Sequence, residues 1–206
     1  MLRLHKTTFM KKFTLSLVAM IVCTIAIAQD QYKKSPSFGV QFILNDFNTA
    51  ADIRNTGLAQ VLKSKQWSKT SRMASGLAFS YVQGMSNQLD VAATLSGSFL
   101  DYPVPNKVSN GQQNLLLEGA VTANLKLVTD DYWFNPYVTL GVGASKYKGY
   151  FGAFLPAGLG IQFKVLNDTY ITVNSQYRIP VSENVAYHFY HGFGIVQSFG
   201  KKKVSQ

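Results

Sequence analysis

Glu118 and Arg178 are charges flanked on both sides by apolar, small or uncharged residues in stretches that alternate at a period of two. If the polar sides of those stretches face one another, the two would meet as an ion pair. Such a pair could act as a breakable constriction in a narrow pore. It could equally be a paired plug in a polar core, because an unpaired buried charge is costly. Asp90, Lys126 and Lys164 repeat the pattern near the opposite ends of their segments, where they are expected to charge the other mouth. Both readings, constriction and plug, stay open on the sequence.

Nucleophilic chemistry is the next class to weigh. Tyr187-His188-Phe189-Tyr190-His191 holds two histidines, with Ser182 and Glu183 close by and Ser175 on the preceding segment. A hydrolase would need a serine, a base and an orienting acid within hydrogen-bond reach. Alternation sends His188 to one face and His191 to the other, so the two cannot serve one site. No nucleophile elbow appears, and no cysteine or acid cluster completes a metal site. The expectation is a non-catalytic protein without a cofactor or bound metal.

A third set of charges lies between the first two segments. Lys63, Lys65 and Lys69 lie around Trp67 in a long connection at 48–71, with Arg72 just beyond its end. They could contact anions such as lipopolysaccharide phosphates. Ala50, Ile53, Leu58, Val61 and Leu62 in the same stretch could instead fold a short helix over a barrel mouth, leaving the lysines merely solvated.

These side chains are carried by eight segments near 37–47, 72–83, 88–100, 113–126, 133–146, 152–166, 169–179 and 187–199. In the third, Leu89, Val91, Ala93, Leu95, Gly97 and Phe99 share one face, while Asp90, Ala92, Thr94, Ser96 and Ser98 share the other. Carried through all eight, the first face gathers residues such as Phe42, Phe79, Val121, Leu140, Leu159, Val173 and Phe193, and no charge. The second face gathers Gln41, Asp90, Thr94, Glu118, Thr122, Asn124, Lys126, Thr139, Gln162, Lys164, Thr172, Asn174, Gln176 and Arg178. A greasy outside around a polar inside predicts an all-β, eight-stranded antiparallel up-and-down transmembrane β-barrel. A charge on the lipid face at midplane would cost about 2–4 kcal/mol for Arg or Lys.

The connections alternate in length. Those at 84–87, 127–132 and 167–168 are short, whereas the intervening ones include 48–71 and a stretch with Tyr102-Pro103-Val104-Pro105. The remaining two on the long-loop side, 147–151 and 180–186, are modest. Aromatics gather at strand ends, as interfacial girdles require. Tyr132, Trp133 and Phe134 are expected on the short-turn rim, and Tyr102, Tyr147, Tyr150, Phe151 and Tyr187 on the other.

Lys11 and Lys12 precede an apolar run ending in Ala26-Ile27-Ala28, which reads as a secretory signal peptide over 1–28, cleaved after Ala28. Its removal takes away Arg3, Lys6, Lys11 and Lys12 and no acid, lowering the formal charge from +10 to +6. The basic balance is thus partly a targeting feature, and no nucleic-acid partner is expected. The single cysteine, Cys23, falls inside the segment to be removed. The mature chain then divides into a barrel at 29–200 and a basic tail at 201–206.

Gly-rich strand pairs such as Pro136-Tyr137-Val138-Thr139-Leu140-Gly141-Val142-Gly143-Ala144 and Pro156-Ala157-Gly158-Leu159-Gly160-Ile161-Gln162-Phe163 resemble the middle strands of small outer-membrane barrels of the OmpA type. The ending Gly192-Phe193-Gly194-Ile195-Val196-Gln197-Ser198-Phe199 is similar to the C-terminal signal by which such barrels are recognised for assembly. The resemblance implies residence in the outer membrane and contact with membrane lipids, including lipopolysaccharide. It also implies delivery to the barrel-assembly machinery through the strand ending at Phe199. The role it implies is structural or in surface interaction, with a narrow, weakly selective channel as the alternative. Many OmpA-type proteins continue into a peptidoglycan-binding domain, which is not found in this sequence.

Overall fold

A computed structural model describes residues 34–105, 107, 111–130, 132–166 and 168–199. The signal peptide at 1–28, its cleavage site, Cys23 and the basic tail at 201–206 lie outside the described residues.

Alternating apolar and polar residues favour extended chain wherever two different solvents meet the two faces. Eight such strands form: β1 (Ser37–Asp46), β2 (Ala74–Gly84), β3 (Leu89–Leu100), β4 (Asn114–Lys126), β5 (Phe134–Tyr147), β6 (Tyr150–Leu166), β7 (Thr169–Pro180) and β8 (His188–Ser198). Each pairs antiparallel with the next, and β8 returns to β1 to close the barrel. The closing seam runs from Ser37 opposite Ser198, through Phe42 opposite Phe193, to Asp46 opposite Phe189. Closure leaves no strand edge with unpaired backbone groups, the condition for crossing hydrocarbon in β structure.

The two faces divide as the alternation requires. Phe42, Phe79, Val121, Leu140, Leu159, Val173 and Phe193 are all exposed on the outside or nearly so, and Leu140 reaches 62 %. Gln41, Asp90, Glu118, Thr122, Asn124, Lys126, Thr139, Gln162, Thr172, Asn174 and Arg178 are buried within. This is the reverse of a water-soluble barrel. Among the described residues no helix is long and apolar enough to cross a membrane. The crossing elements are strands.

Short turns join β2 to β3 and β6 to β7 on one rim; in the first, the Met85 N–H donates to the Leu89 carbonyl at 2.8 Å. The opposite rim carries the longer excursions, and the third connection, expected to be modest at 147–151, is shorter still. The third connection is only the pair Lys148-Gly149, because β5 and β6 pair to their ends and Lys148 takes the left-handed conformation, φ 53°, that a tight reversal needs.

The 48–71 connection folds into α1 (Phe47–Thr56) and α2 (Leu58–Lys63), followed by a 3₁₀ turn at Thr70–Arg72. The Asp46 carboxylate caps α1 by accepting from the Thr49 N–H at 2.8 Å. Gly57, at φ 86°, ends it while its N–H reaches the Ile53 carbonyl. Ala50 and Val61 are buried beneath the helices, but Leu58 and Leu62 stay exposed, so the helices cover the mouth without using all of their apolar residues.

Candidate functional site

Eight strands leave an interior that side chains can just fill. Here the filling is layered. At the short-turn end, the Lys126 ammonium donates to Asp90 at 2.8 Å and to Asp130 at 2.6 Å. Lys34, immediately before β1, turns into the same mouth: its ammonium donates to Gln162 Oε1 at 2.7 Å, lies 3.7 Å from Asp90 and sits 4.0 Å over the Tyr170 ring. Burial pushes the Lys34 ammonium below its ordinary value, against the opposing pull of Asp90 and Asp130. Two cations face two carboxylates, which is the balance a buried ionic cluster requires.

Lys164, expected in this group, is half-buried and forms no ion pair among the described residues. Lys164 still pairs in register with Tyr170, and the shift in the β6–β7 ladder falls beyond it, before Leu166. Lys34, reaching in from before β1, bonds Gln162 and sits over the Tyr170 ring beside it. Asp130, which sequence reasoning passed over, lies in a turn where no alternation flags it. Lys34 was missed for the same reason.

Toward the long-loop end, Glu118 of β4 and Arg178 of β7 form the expected ion pair across the lumen. Arg178 also lies 3.9 Å over the Tyr190 ring and 4.8 Å over Phe154. His188, directly opposite Arg178 on β8, brings Nε2 to 3.4 Å from Glu118, while its Nδ1 lies 3.0 Å from the Ala186 carbonyl oxygen. His188 faces inward and His191 outward, as the alternation requires.

Above the pair is an aromatic lid. His188 stacks on Phe47 at 4.5 Å, Phe47 meets Tyr102 edge-on at 5.2 Å, and Tyr102 leans on Tyr147 at 5.2 Å. The Ala186 N–H donates to the Tyr102 hydroxyl at 2.7 Å, and the Tyr147 hydroxyl donates to the Leu100 carbonyl at 3.1 Å. Burial pushes the Tyr102 phenol above its ordinary value. Tyr102 and Tyr147 were expected in the lipid-facing girdle, and that placement is corrected. Tyr147 shares parity with the inward residues Tyr137 and Thr139, and Tyr102 finds its hydrogen-bond donor only inside. Phe151 remains exposed on that rim, as Tyr132 and Trp133 do on the other.

Between the two closures lies a polar cavity of about 30 Å³, lined by residues that include Gln41, Thr122, Asn174 and Arg178. That is room for two or so water molecules at about 10–15 Å³ each. Tyr137 narrows it further. Its ring occupies the space a side chain at Gly160 would take, since a Cβ there would fall 2.2 Å from the ring.

The basic set of the loop is only partly free. Arg72 is tied to Asp52 at 2.9 Å, whereas Lys63, Lys65 and Lys69 are exposed. Trp67 packs edge-on against Phe189 of β8 at 5.3 Å, and Arg54 covers the Tyr187 ring at 3.7 Å.

No family model and no curated protein sequence matches this chain. Its architecture is similar to solved structures. The outer membrane protein OprG from Pseudomonas aeruginosa aligns with a TM-score of 0.55 at 11% identity, over 82% of this chain and 98% of that one. Neisserial surface protein A aligns with a TM-score of 0.49 at 12% identity, over 82% and 100%. The N-terminal β-barrel domain of Pseudomonas aeruginosa OprF aligns with a TM-score of 0.48 at 11% identity, over the same shares. Closed eight-strand topology, an apolar exterior, a polar interior and the OprG likeness together give this chain the fold of the small outer-membrane β-barrels, as its OmpA-type resemblance implied.

Proposed function

We propose that this chain resides in the outer membrane as a barrel with a structural or surface-interaction role and no catalytic one. The observation that carries this reading is the double closure of the lumen. Lys34, Asp90, Lys126 and Asp130 fill one end, Glu118, Arg178, His188 and the aromatic lid fill the other, and only about 30 Å³ is left between them. In this reading the short-turn rim faces the periplasm and the helical cap faces outward, as in outer-membrane barrels generally. Lys63, Lys65 and Lys69 then stand where they can meet anionic groups at the cell surface, with Arg72 supporting the cap through Asp52. Phe199 is exposed, packs edge-on against Phe38 at 5.8 Å and donates its N–H to the Pro36 carbonyl, which leaves its ring available to the assembly machinery.

The alternative is a narrow channel opened by parting Glu118 from Arg178, which pair across the loop-end lumen. Planar-bilayer recording separates the two. A closed structural barrel gives no conductance steps, in the native sequence or in Arg178→Ala. Steps in the native protein that change with either charge would replace this reading with the channel. Gel mobility with and without boiling tests the barrel itself, because a closed barrel resists SDS until heated.

A further inference from the structure

His188 is fully buried at the loop end of β8, and both of its ring nitrogens face oxygen. Nδ1 lies 3.0 Å from the Ala186 carbonyl oxygen, which can only accept, so that nitrogen carries a proton. Nε2 lies 3.4 Å from Oε1 of Glu118, and both of these atoms are buried with no hydrogen-bond partner among the described residues. A bare Nε2 would set its lone pair against a carboxylate oxygen. A second proton on the ring gives the two atoms one charge-assisted bond after a small rotation. The surroundings of the ring are therefore satisfied by imidazolium and leave two buried atoms unpaired around imidazole.

The same ring is where the closures of the mouth converge. It stacks on Phe47, the first residue of α1, with centroids 4.5 Å apart and planes at 29°. Ala186, whose carbonyl accepts from Nδ1, donates its own N–H to the Tyr102 hydroxyl at 2.7 Å, and Tyr102 meets Phe47 edge-on. A cation over a phenyl face is held more strongly than a neutral ring. Four titratable or charged groups gather around His188: Glu118 from β4, Arg178 directly opposite on β7, Tyr102 from the β3–β4 connection and Tyr190 on its own strand. Arg178 opposes a further positive charge, but Glu118 and the Tyr190 and Phe154 rings already hold it. The other nearby charges are engaged elsewhere. Asp46 caps α1, Asp52 pairs with Arg72, Arg54 covers Tyr187 and Glu183 is exposed.

We infer that His188 is a proton-operated latch for the helical cap. As imidazolium it bridges Glu118 to the Ala186 carbonyl and holds Phe47, and with it α1, down on the mouth. When Nε2 gives its proton to solvent on the loop side, the ring loses its bond to Glu118 and its cationic hold on Phe47. The cap then loosens while Glu118 and Arg178 keep the lumen closed. The changeover belongs to the range of about pH 5–8 in which histidines change charge. The latch contributes fully on the acid side of that range and is lost as the pH rises through it. It does not depend on the structural or surface-interaction role, which a fixed cap and a loosened one serve alike.

The test uses the full-length protein folded in nanodiscs. Ring nitrogen NMR shifts of His188, assigned by their loss in His188→Gln, should show imidazolium at about pH 5 and loss of the Nε2 proton toward about pH 8. Backbone hydrogen exchange, corrected for its intrinsic pH dependence, reads the cap at the amides of Thr49 and Gly57. These should open about tenfold or more often at about pH 8 than at about pH 5, the factor of one charge-assisted hydrogen bond. Amides in the middle of β5 should not change. His188→Gln should make cap exchange independent of pH, and Phe47→Leu should keep the ring titration while uncoupling the cap from it. Heat-shifted gel mobility checks each variant for a formed barrel, and the native protein supplies both readings without any substitution. A neutral ring on the acid side, equal cap protection at the two pH values, or a pH-dependent cap surviving in either variant would each overturn the inference.

Discussion

Glu118 of β4 and Arg178 of β7 meet across the lumen as an ion pair, with β5 and β6 forming the wall between them. His188 and Tyr190 of β8 close around the pair, so two sides of the barrel are joined through its centre. Removing one partner strands the other without compensation. Glu118→Ala should destabilise the barrel by about 3–5 kcal/mol, while the double replacement Glu118→Leu with Arg178→Met should cost clearly less than the single change. Urea unfolding in lipid vesicles measures both. Equal costs for the single and double variants would mean that the pair contributes packing rather than charge compensation.

The short-turn cluster behaves differently because it has a second cation. Lys126→Met leaves Asp90 beside Lys34 but takes from Asp130 its 2.6 Å partner. Lys34→Met leaves both carboxylates bonded to Lys126. Without Lys126, Asp130 is left with the Asn135 amide at 3.3 Å, so loss of Lys126 should be the more damaging of the two by about 1–3 kcal/mol, the worth of a hydrogen bond to a buried charged group. The same unfolding series decides it, and the reverse order would show that Lys34 is the principal closure.

Tyr102 makes stability depend on alkaline pH. Its phenol is held above the ordinary value of 10.0 by burial, so above pH 10 the unfolded chain gives up a proton that the folded chain keeps. Its contribution is whole below pH 10 and falls as the pH rises beyond it. Stability measured between pH 8 and 11 should drop more steeply in the native protein than in Tyr102→Phe. Parallel curves would place the hydroxyl in contact with water.

Leu140, in the middle of the outward face of β5, tests the lipid boundary. Leu140→Arg should cost about 2–4 kcal/mol in vesicles, against about 0–1 kcal/mol for Trp133→Arg at the short-turn rim. Equal costs would mean that the bilayer does not centre on Leu140.

Tyr137 and Gly160 test the packing of the middle layer. Gly160→Val drives a side chain into the Tyr137 ring and should cost about 1–3 kcal/mol, with Tyr137→Ala recovering part of the loss in the double variant. An additive double variant would show that the ring simply moves aside.

Alternation alone was enough to determine the strands, their faces and the eight-strand count, because a chain lying between lipid and a polar interior must change character at every residue. The same parity sorted His188 from His191 and put Glu118, Arg178, Asp90 and Lys126 inside. It held the information for Tyr147 as well, whose parity is inward although its position near a strand end suggested the girdle. Residues outside the strands carry no such signal. Lys34 enters the short-turn mouth, Asp130 completes its cluster and Tyr102 roofs the other end only because barrel closure brings distant segments together. Position along the strands also put Glu118 and Arg178 at one end, where they pair, but the third member, His188 at 3.4 Å from Glu118, is brought in by the stagger of the closed sheet.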